Sequence, residues 1–414
     1  MIAAKGLRPG CALAGAGLLM PPLATLAPLS LAPLLAVAAV GALALGGYRE
    51  LWRLDGLRAL VVMLALLGLL GAASALWSII PLHSALEGLR FLLICAAGLA
   101  LIAAALGLDD AERERAARWF LWGFVIGLVI LSAATILSAF WSPSRAEGGV
   151  ARWLRHFTVF DRGATTLALA LWPALLILSA RGKRWAIAAL ILVTLAVVLA
   201  LKSRTAMLCL VMALALWPIA HMAPRACGML IAAGLVVLVA TFPTLPLTMD
   251  AVVRMHQAVP RLDNSAIHRF AIWHFAIDRI AERPFLGWGL DASRALPGGS
   301  DLVDDPRLPE IAAAGGPWMP LHPHNAALQW RLELGLPGAA LATLAVLWIL
   351  GRVSSPGVGP PATRAAALAL IAAALVVAML SYGFWQAWWQ SSLWLIAALA
   401  IVAAPRPSRM PAEP

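Results

Sequence analysis

The stretch Leu57 to Trp77, LRALVVMLALLGLLGAASALW, decides the fold, because after Arg58 it carries no further charge. A helix rises about 1.5 Å per residue, so some twenty residues cross a hydrocarbon core of roughly 30 Å. The run shows no strand-like alternation. Backbone polar groups in lipid must be satisfied within their own segment, so it reads as a helix rather than a barrel strand. The pattern recurs along the chain, which has 414 residues, 62% hydrophobic and 12% charged. Twelve spans are expected, near 11–27, 29–46, 57–77, 84–106, 119–141, 163–180, 185–201, 205–221, 226–246, 325–350, 364–383 and 386–404. The fold class is an all-α polytopic integral membrane protein. Pro21, Pro22, Pro28 and Pro33 are expected to interrupt the first two spans. Lys5 and Arg8 precede an apolar run, as in a signal peptide, but the membrane pattern continues at once, so an uncleaved first helix is expected.

Short-loop charges set the orientation. Arg49, Arg53, Arg58, Arg113, Arg115, Arg118, Arg181, Lys183, Arg184, Arg225, Arg352 and Arg364 fall on one side of a twelve-helix count, which should be the cytoplasm. Both termini join that side. The organisation expected is helices 1 to 9 in residues 1–246, an outer loop subdomain at 247–324, helices 10 to 12 in 325–404, and a cytoplasmic tail at 405–414. Residues 142–162 face outward yet carry Arg145, Arg152, Arg155 and Arg162, against the charge rule, which suggests an anionic partner there. The formal charge of +11 is mostly this inside-positive bias, and no nucleic-acid motif accompanies it. Cys11, Cys95, Cys209 and Cys227 lie in or beside apolar segments without metal-like spacing and read as packing residues.

The outer loop is too short for a large core of its own and must rest on the bundle. From Ser265 to Glu282 it reads as a helix, capped by Asn264 or Ser265 and closed by Arg283 and Pro284. Arg269 and Trp273, four apart, share a face and would set a guanidinium beside an indole at the bilayer surface. Residues 297–320, rich in Pro, Gly and acid, read as a solvated lid, with a calcium site among Asp301, Asp304, Asp305 and Glu310 as the weaker alternative.

His322, Pro323, His324 and Asn325 stand where the loop re-enters an apolar segment. Pro323 suits the first turn of a helix, and Asn325, Gln329 and Glu333 follow along one side of it. Glu333 and Arg331 are costly in lipid, so they should face a cavity or each other, whether as an ion pair that orients helices or as functional groups. Lys202 and Arg204 form a second basic site in a tight turn. Arg204 opens the next helix, whose free N–H groups and dipole favour an anion, while snorkelling explains Lys202. Glu87 and Arg90 read as a structural pair near the outer end of a span. His268 and His274 read as loop packing residues, and Trp385, Trp388, Trp389 and Trp394 as an outer aromatic belt, with a lipid-groove wall as the alternative.

The runs HPHNAALQWRLELGLPG (322–338), KSRTAML (202–208) and HRFAIWHFAIDRIAERPFLGWG (268–289) resemble, in this order around one long loop, the O-antigen ligase and O-antigen polymerase superfamily. The match covers roughly residues 160–350. The resemblance implies a GT-C-like glycosyltransferase of the bacterial inner membrane with its active site facing the periplasm. Its donor would be an O-antigen glycan on undecaprenyl pyrophosphate and, in the ligase branch, its acceptor a sugar hydroxyl of lipid A-core. It maps donor-binding arginines to Arg204 and Arg269 and the catalytic histidine to His324, and implies no metal, cofactor or nucleotide sugar.

These residue types suit that reaction independently. Without a metal, charge left on a pyrophosphate needs preorganised cations, for which Arg204 and Arg269 are apt, with Lys202 beside them. A neutral His324 can take the acceptor's proton, with His322 as fallback or orienting neighbour. One-step displacement inverts the anomeric centre. The bland reading has both imidazoles capping a helix or bonding loop carbonyls, and a zinc site lacks a third ligand. A polymerase, a protein O-glycosyltransferase and, in a different class, a lipid-linked glycan transporter stay open, although no internal repeat supports transport.

Overall fold

The computed structural model describes residues 8–140, 157–259 and 264–405. Helices dominate, and among these residues the only extended pairing is one antiparallel bridge between Leu302 and Pro317. The first group comprises α1 (Pro9–Leu26), α2 (Leu31–Ala44), α3 (Arg58–Ala73), α4 (Pro81–Gly107), α5 (Asp110–Phe140), α6 (Phe157–Ala180), α7 (Arg184–Ala200), α8 (Arg204–Met222) and α9 (Pro224–Thr241). The polar segment adds α10 (Met249–Ala258), α11 (Asn264–Glu282) and α12 (Pro309–Ala313), and the chain closes with α13 (Ala326–Ser354), α14 (Pro361–Leu380) and α15 (Ala387–Ala403).

Nine described helices are long and apolar enough to cross a membrane, and the chain is a multi-pass membrane protein. Three further apolar helices, Pro28–Ala44, Arg184–Ala200 and Ala387–Ala403, are shorter. At about 1.5 Å per residue they reach roughly 25 Å, less than a hydrocarbon core of roughly 30 Å, so nine of the twelve expected spans reach full length among the described residues. Pro21 and Pro22 lie inside α1 rather than interrupting it, and the break comes at Ala27 and Pro28.

Within the bundle α1 packs on α5, α14 on α8 and α6, α15 on α4, and α13 on α3 and α9. Lipid supplies no hydrophobic drive between helices, so close packing of small residues must hold them together. Ala103, Ala104 and Ala105 on α4 and Ala365, Ala366 and Ala369 on α14 are accordingly buried. Trp385, Trp388 and Trp389, expected in an interfacial belt, are buried in the bundle at 3%, 3% and 0% exposure, with Trp394 partly buried beside them. Their indoles pack against Phe91, Tyr382 and each other instead of facing headgroups.

The segment between α9 and α13 is tied to the bundle through backbone bonds. Trp288 N–H donates to the Leu332 carbonyl and Gly289 N–H to that of Glu333. Leu336 N–H donates to the Phe285 carbonyl. That exchange requires α13 to break at Gly335 (φ +61°, ψ −152°), a conformation open essentially to glycine alone. Residues 297–320 are not a loose lid: Val303, Leu308 and Ile311 are buried against Val252, Val253, Ile267 and Ala271 of α10 and α11. Apolar residues spaced through the Pro- and Gly-rich stretch give it this core. Its acids also find cations: Arg307 is clamped by Asp305 and Asp250, which holds both carboxyls below the usual range.

Candidate active site

At one end of the bundle a cavity of about 510 Å³ gathers side chains from five separate stretches. α6 supplies Asp161 and Arg162, the turn into α8 supplies Lys202, Ser203 and Arg204, and α11 supplies Ser265 and Arg269. His322 and His324 line it just before α13, and Ser381, Tyr382 and Gln386 line it between α14 and α15.

The Lys202 turn takes the tight form expected from its sequence. Lys202 adopts φ +55°, and Ser203 is the N-cap of α8 without a side-chain cap. Its hydroxyl lies near the Asp161 carboxylate, with Arg269 close enough to act on the same carboxylate. The first N–H groups of α8 therefore stand beside Arg204 on the cavity wall. Arg162, also lining the cavity, lies over the Trp388 ring at 5.2 Å. Arg145, Arg152 and Arg155 lie outside the described residues.

Before α13 the structure departs from expectation. Pro323 precedes the helix rather than forming its first turn: Asn325 is the N-cap, and its side-chain oxygen accepts from Leu328 N–H at 3.0 Å. His324 therefore stands outside the helix at φ +54°, a left-handed conformation that is costly for a residue with a Cβ. Its Nδ1 faces the Ser381 carbonyl, which can only accept, so Nδ1 carries the proton and Nε2 keeps the lone pair. The His322 ring lies 4.3 Å from that of His324. Its two nitrogens each sit 3.2 Å from a backbone N–H, of His324 and of Gly383. A neutral imidazole has one acceptor nitrogen, so it takes one of these bonds at a time.

Burial pushes His324 down to about 4, aided by Arg269 and His268 and opposed by the Ser381 carbonyl. Burial, the adjoining His324 and the charges of Arg294 and Arg269 push His322 down to about 3. Both rings are neutral at pH 7.

Other expected site residues lie elsewhere. Trp273 is 7% exposed, packed edge-on between Phe242 and Phe270, and its indole N–H donates to the Pro323 carbonyl at 2.9 Å. It supports the histidine turn from behind and is buried in the protein. Glu333 and Arg331 are two residues apart, about 200° around α13, and make no ion pair with each other among the described residues. Glu333 is fully buried and hydrogen-bonded to Gln329, Ser293, Trp385 and the Asp291 N–H, while Arg331 is partly buried. Arg90 pairs with Glu87, as expected, and also donates to the Trp385 carbonyl. His268 bonds the Pro317 carbonyl as a packing residue.

Among the described residues, His83, Glu87 and Asp291 bring ligand-type atoms within 4.8 Å of one another. Arg90 and Arg294 already meet these two carboxylates, which gives the group the character of an ion-pair network. Sequence reading missed Asp161, Ser381, Tyr382 and Gln386. Tyr382 carried the better signal, being one of two tyrosines in the chain, placed where an apolar span ends.

An apolar groove of about 420 Å³ runs along the same elements. Leu208 and Met212 follow Arg204 by four and eight residues on α8, and Val376, Met379 and Leu380 precede Ser381 on α14. Trp273 and Asn325 also line it.

Residues 188–343 match the family model described as O-antigen ligase. A Rickettsia prowazekii protein named "Putative polysaccharide ligase" is 27% identical over 68% of this chain and 69% of its own. Similarly named proteins are 26% identical in Rickettsia typhi, over 67% of each chain, and 35% identical in Rickettsia conorii, over 34% of this chain and 33% of its own. Together the matches support an O-antigen ligase family assignment. The matched model takes in Arg204, Arg269 and His324 and ends before Ser381.

Proposed function

We propose that this O-antigen ligase-type enzyme transfers an O-antigen glycan from undecaprenyl pyrophosphate to a sugar hydroxyl of lipid A-core, at the periplasmic face of the inner membrane. The observation that carries this reading is the single cavity in which Arg162, Lys202, Arg204 and Arg269 meet His324, beside a groove fit for an apolar tail. The long segment 247–324 then lies in the periplasm and both termini in the cytoplasm, following the arginine bias of the short loops.

In the step we infer, the acceptor oxygen forms a bond to the anomeric carbon as its O–H proton passes to His324 Nε2. The bond from that carbon to the pyrophosphate oxygen breaks, and its electron pair leaves with the pyrophosphate. Arg204, Arg269 and Lys202, with the N-terminus of α8, take up the departing charge without requiring a metal. Backside attack inverts the anomeric configuration. Asn325 and Trp273 hold the backbone on either side of His324.

The test is incubation of purified protein with lipid-linked glycan and, separately, lipid A-core, a peptide and a second lipid-linked glycan. A new glycosidic product on lipid A-core is expected. Product on the second glycan alone makes the protein a polymerase, and product on the peptide alone a protein O-glycosyltransferase. No product with any acceptor, with donor moved across a vesicle membrane, makes it a transporter.

A further inference from the structure

The turn between α14 and α15, residues 381–386, does two things at the cavity. Ser381, Tyr382 and Gln386 form part of its wall, and the Ser381 carbonyl orients His324. The turn is gripped from behind. Gly383 N–H points at His322, and Phe384 N–H donates to Gln329 Oε1 at 2.8 Å. The Trp385 carbonyl accepts from Arg90 at 2.9 Å, and its indole N–H donates to Glu333 Oε2 at 2.5 Å.

Glu333 closes this set. Besides Trp385 it accepts from Gln329 Nε2 at 3.2 Å, Ser293 Oγ at 2.5 Å and Asp291 N–H at 2.8 Å. Four donors match the roughly four lone-pair sites of a carboxylate. One fully buried side chain thus joins α13, the 289–293 turn and the 381–386 turn. Apolar residues of the same shape would stabilise the bundle as well, so a fully satisfied buried network of this kind contributes by fixing one arrangement.

We propose that Glu333 and Gln329 are positioning residues for the transfer reaction: they fix the 381–386 turn so that its Ser381 carbonyl holds His324 with Nδ1 protonated and the Nε2 lone pair facing the cavity. This rests on the reading of His324 as the base. A free neutral histidine favours the opposite tautomer, whose Nε2 carries the proton and accepts nothing. Loosening the turn therefore removes the reactive form of the base while leaving the arginines untouched.

Gln329→Met keeps the length of the side chain and deletes both of its bonds. Turnover should fall about 10- to 100-fold while donor affinity stays within about threefold, as expected for a base displaced by less than an ångström. Histidine-selective nitrogen NMR, with His324→Ala to identify the signal, should show one Nδ1–H tautomer in the wild type and a mixture in Gln329→Met. Unchanged turnover and tautomer in folded Gln329→Met overturn the proposal, as does a loss of turnover matched by an equal loss of donor affinity. Should Gln329→Met fail to fold, Trp385→Phe removes one donor to Glu333 while keeping an aromatic ring, and the same readouts decide. The tautomer is read without substrate. A wild type that transfers nothing therefore refutes the ligase reading, while the spectrum still decides whether this network sets His324.

Discussion

Replacing His324 by glycine removes the proposed base with the least disturbance to the backbone that carries it. His324 sits at φ +54°, where an L side chain costs on the order of 1–2 kcal/mol and glycine none. Glycine loses about 0.5–1 kcal/mol more chain entropy on folding, so the two effects nearly offset and His324→Gly should stay folded. A general base contributes typically 10²- to 10⁴-fold, which at about 1.36 kcal/mol per decade is roughly 2.7–5.4 kcal/mol of transition-state stabilisation. Arg204, Arg269 and Lys202 remain in place, so donor affinity should hold. The assay is single-turnover transfer from lipid-linked glycan to lipid A-core by detergent-purified protein, with donor binding titrated separately. Free imidazole should recover part of the lost rate by entering the vacated corner of the cavity. Turnover within about threefold of wild type at equal donor affinity would refute the assignment of the base, as would a loss confined to binding.

Arg204→Lys and Arg269→Lys each replace a planar fork by a point charge and should lower transfer about 10- to 100-fold, read as kcat/KM for the lipid-linked glycan. Gly335→Ala would set a Cβ 2.0 Å from the Phe285 carbonyl oxygen at a backbone angle reserved for glycine. It should destabilise the fold by about 3 kcal/mol or more, seen as a lowered unfolding temperature in detergent. For pH, the neutral ring of His324 is the active form and persists above about 4, so kcat/KM should hold from pH 7 to about 5 and fall towards 4. The same depressed value acts on stability with a definite sign. The unfolded ring takes up its proton near 6.5, so stability should drop as pH falls from about 6.5 towards 4, measured by unfolding at pH 5 against pH 7.

Helical spans were legible because an apolar stretch of twenty residues has one solution in lipid, and α11 was legible from its cap at Asn264 or Ser265 and its stop at Arg283 and Pro284. The arginine that opens α8 was equally local. What the sequence hid is contact between distant segments. Glu333 looked like a partner for Arg331, two residues away, yet its partners are Ser293, Asp291 and Trp385 in other turns. The tryptophans after residue 384 matched an interfacial belt in composition, but membership of a belt depends on which face a helix turns to its neighbours. Asp161 and Ser381 carry no motif at all: one is a lone acid beside an arginine, and the other acts through its backbone carbonyl.

A histidine held near 4 is a weak base, and the cavity explains why this is tolerable. Among the described residues, four cationic side chains, Arg162, Lys202, Arg204 and Arg269, share the cavity with one carboxylate, Asp161, and the Arg269 charge is among the causes that depress both histidines. An anionic pyrophosphate seated among those cations cancels their field at His324, and a nearby negative charge favours the protonated ring. The proposed base would therefore strengthen when the proposed donor arrives. It strengthens again as the C–O bond breaks, because charge then accumulates on the leaving pyrophosphate while the acceptor oxygen becomes more acidic. In the empty enzyme the same ring stays neutral, with its lone pair kept available by the Ser381 carbonyl. The acid limb of kcat, which reports the donor-bound enzyme, must then lie at higher pH than the limb of kcat/KM, which reports the free enzyme. Coincident limbs would mean that the donor does not sit within electrostatic reach of His324, and the arginines and the histidine would have to serve different steps.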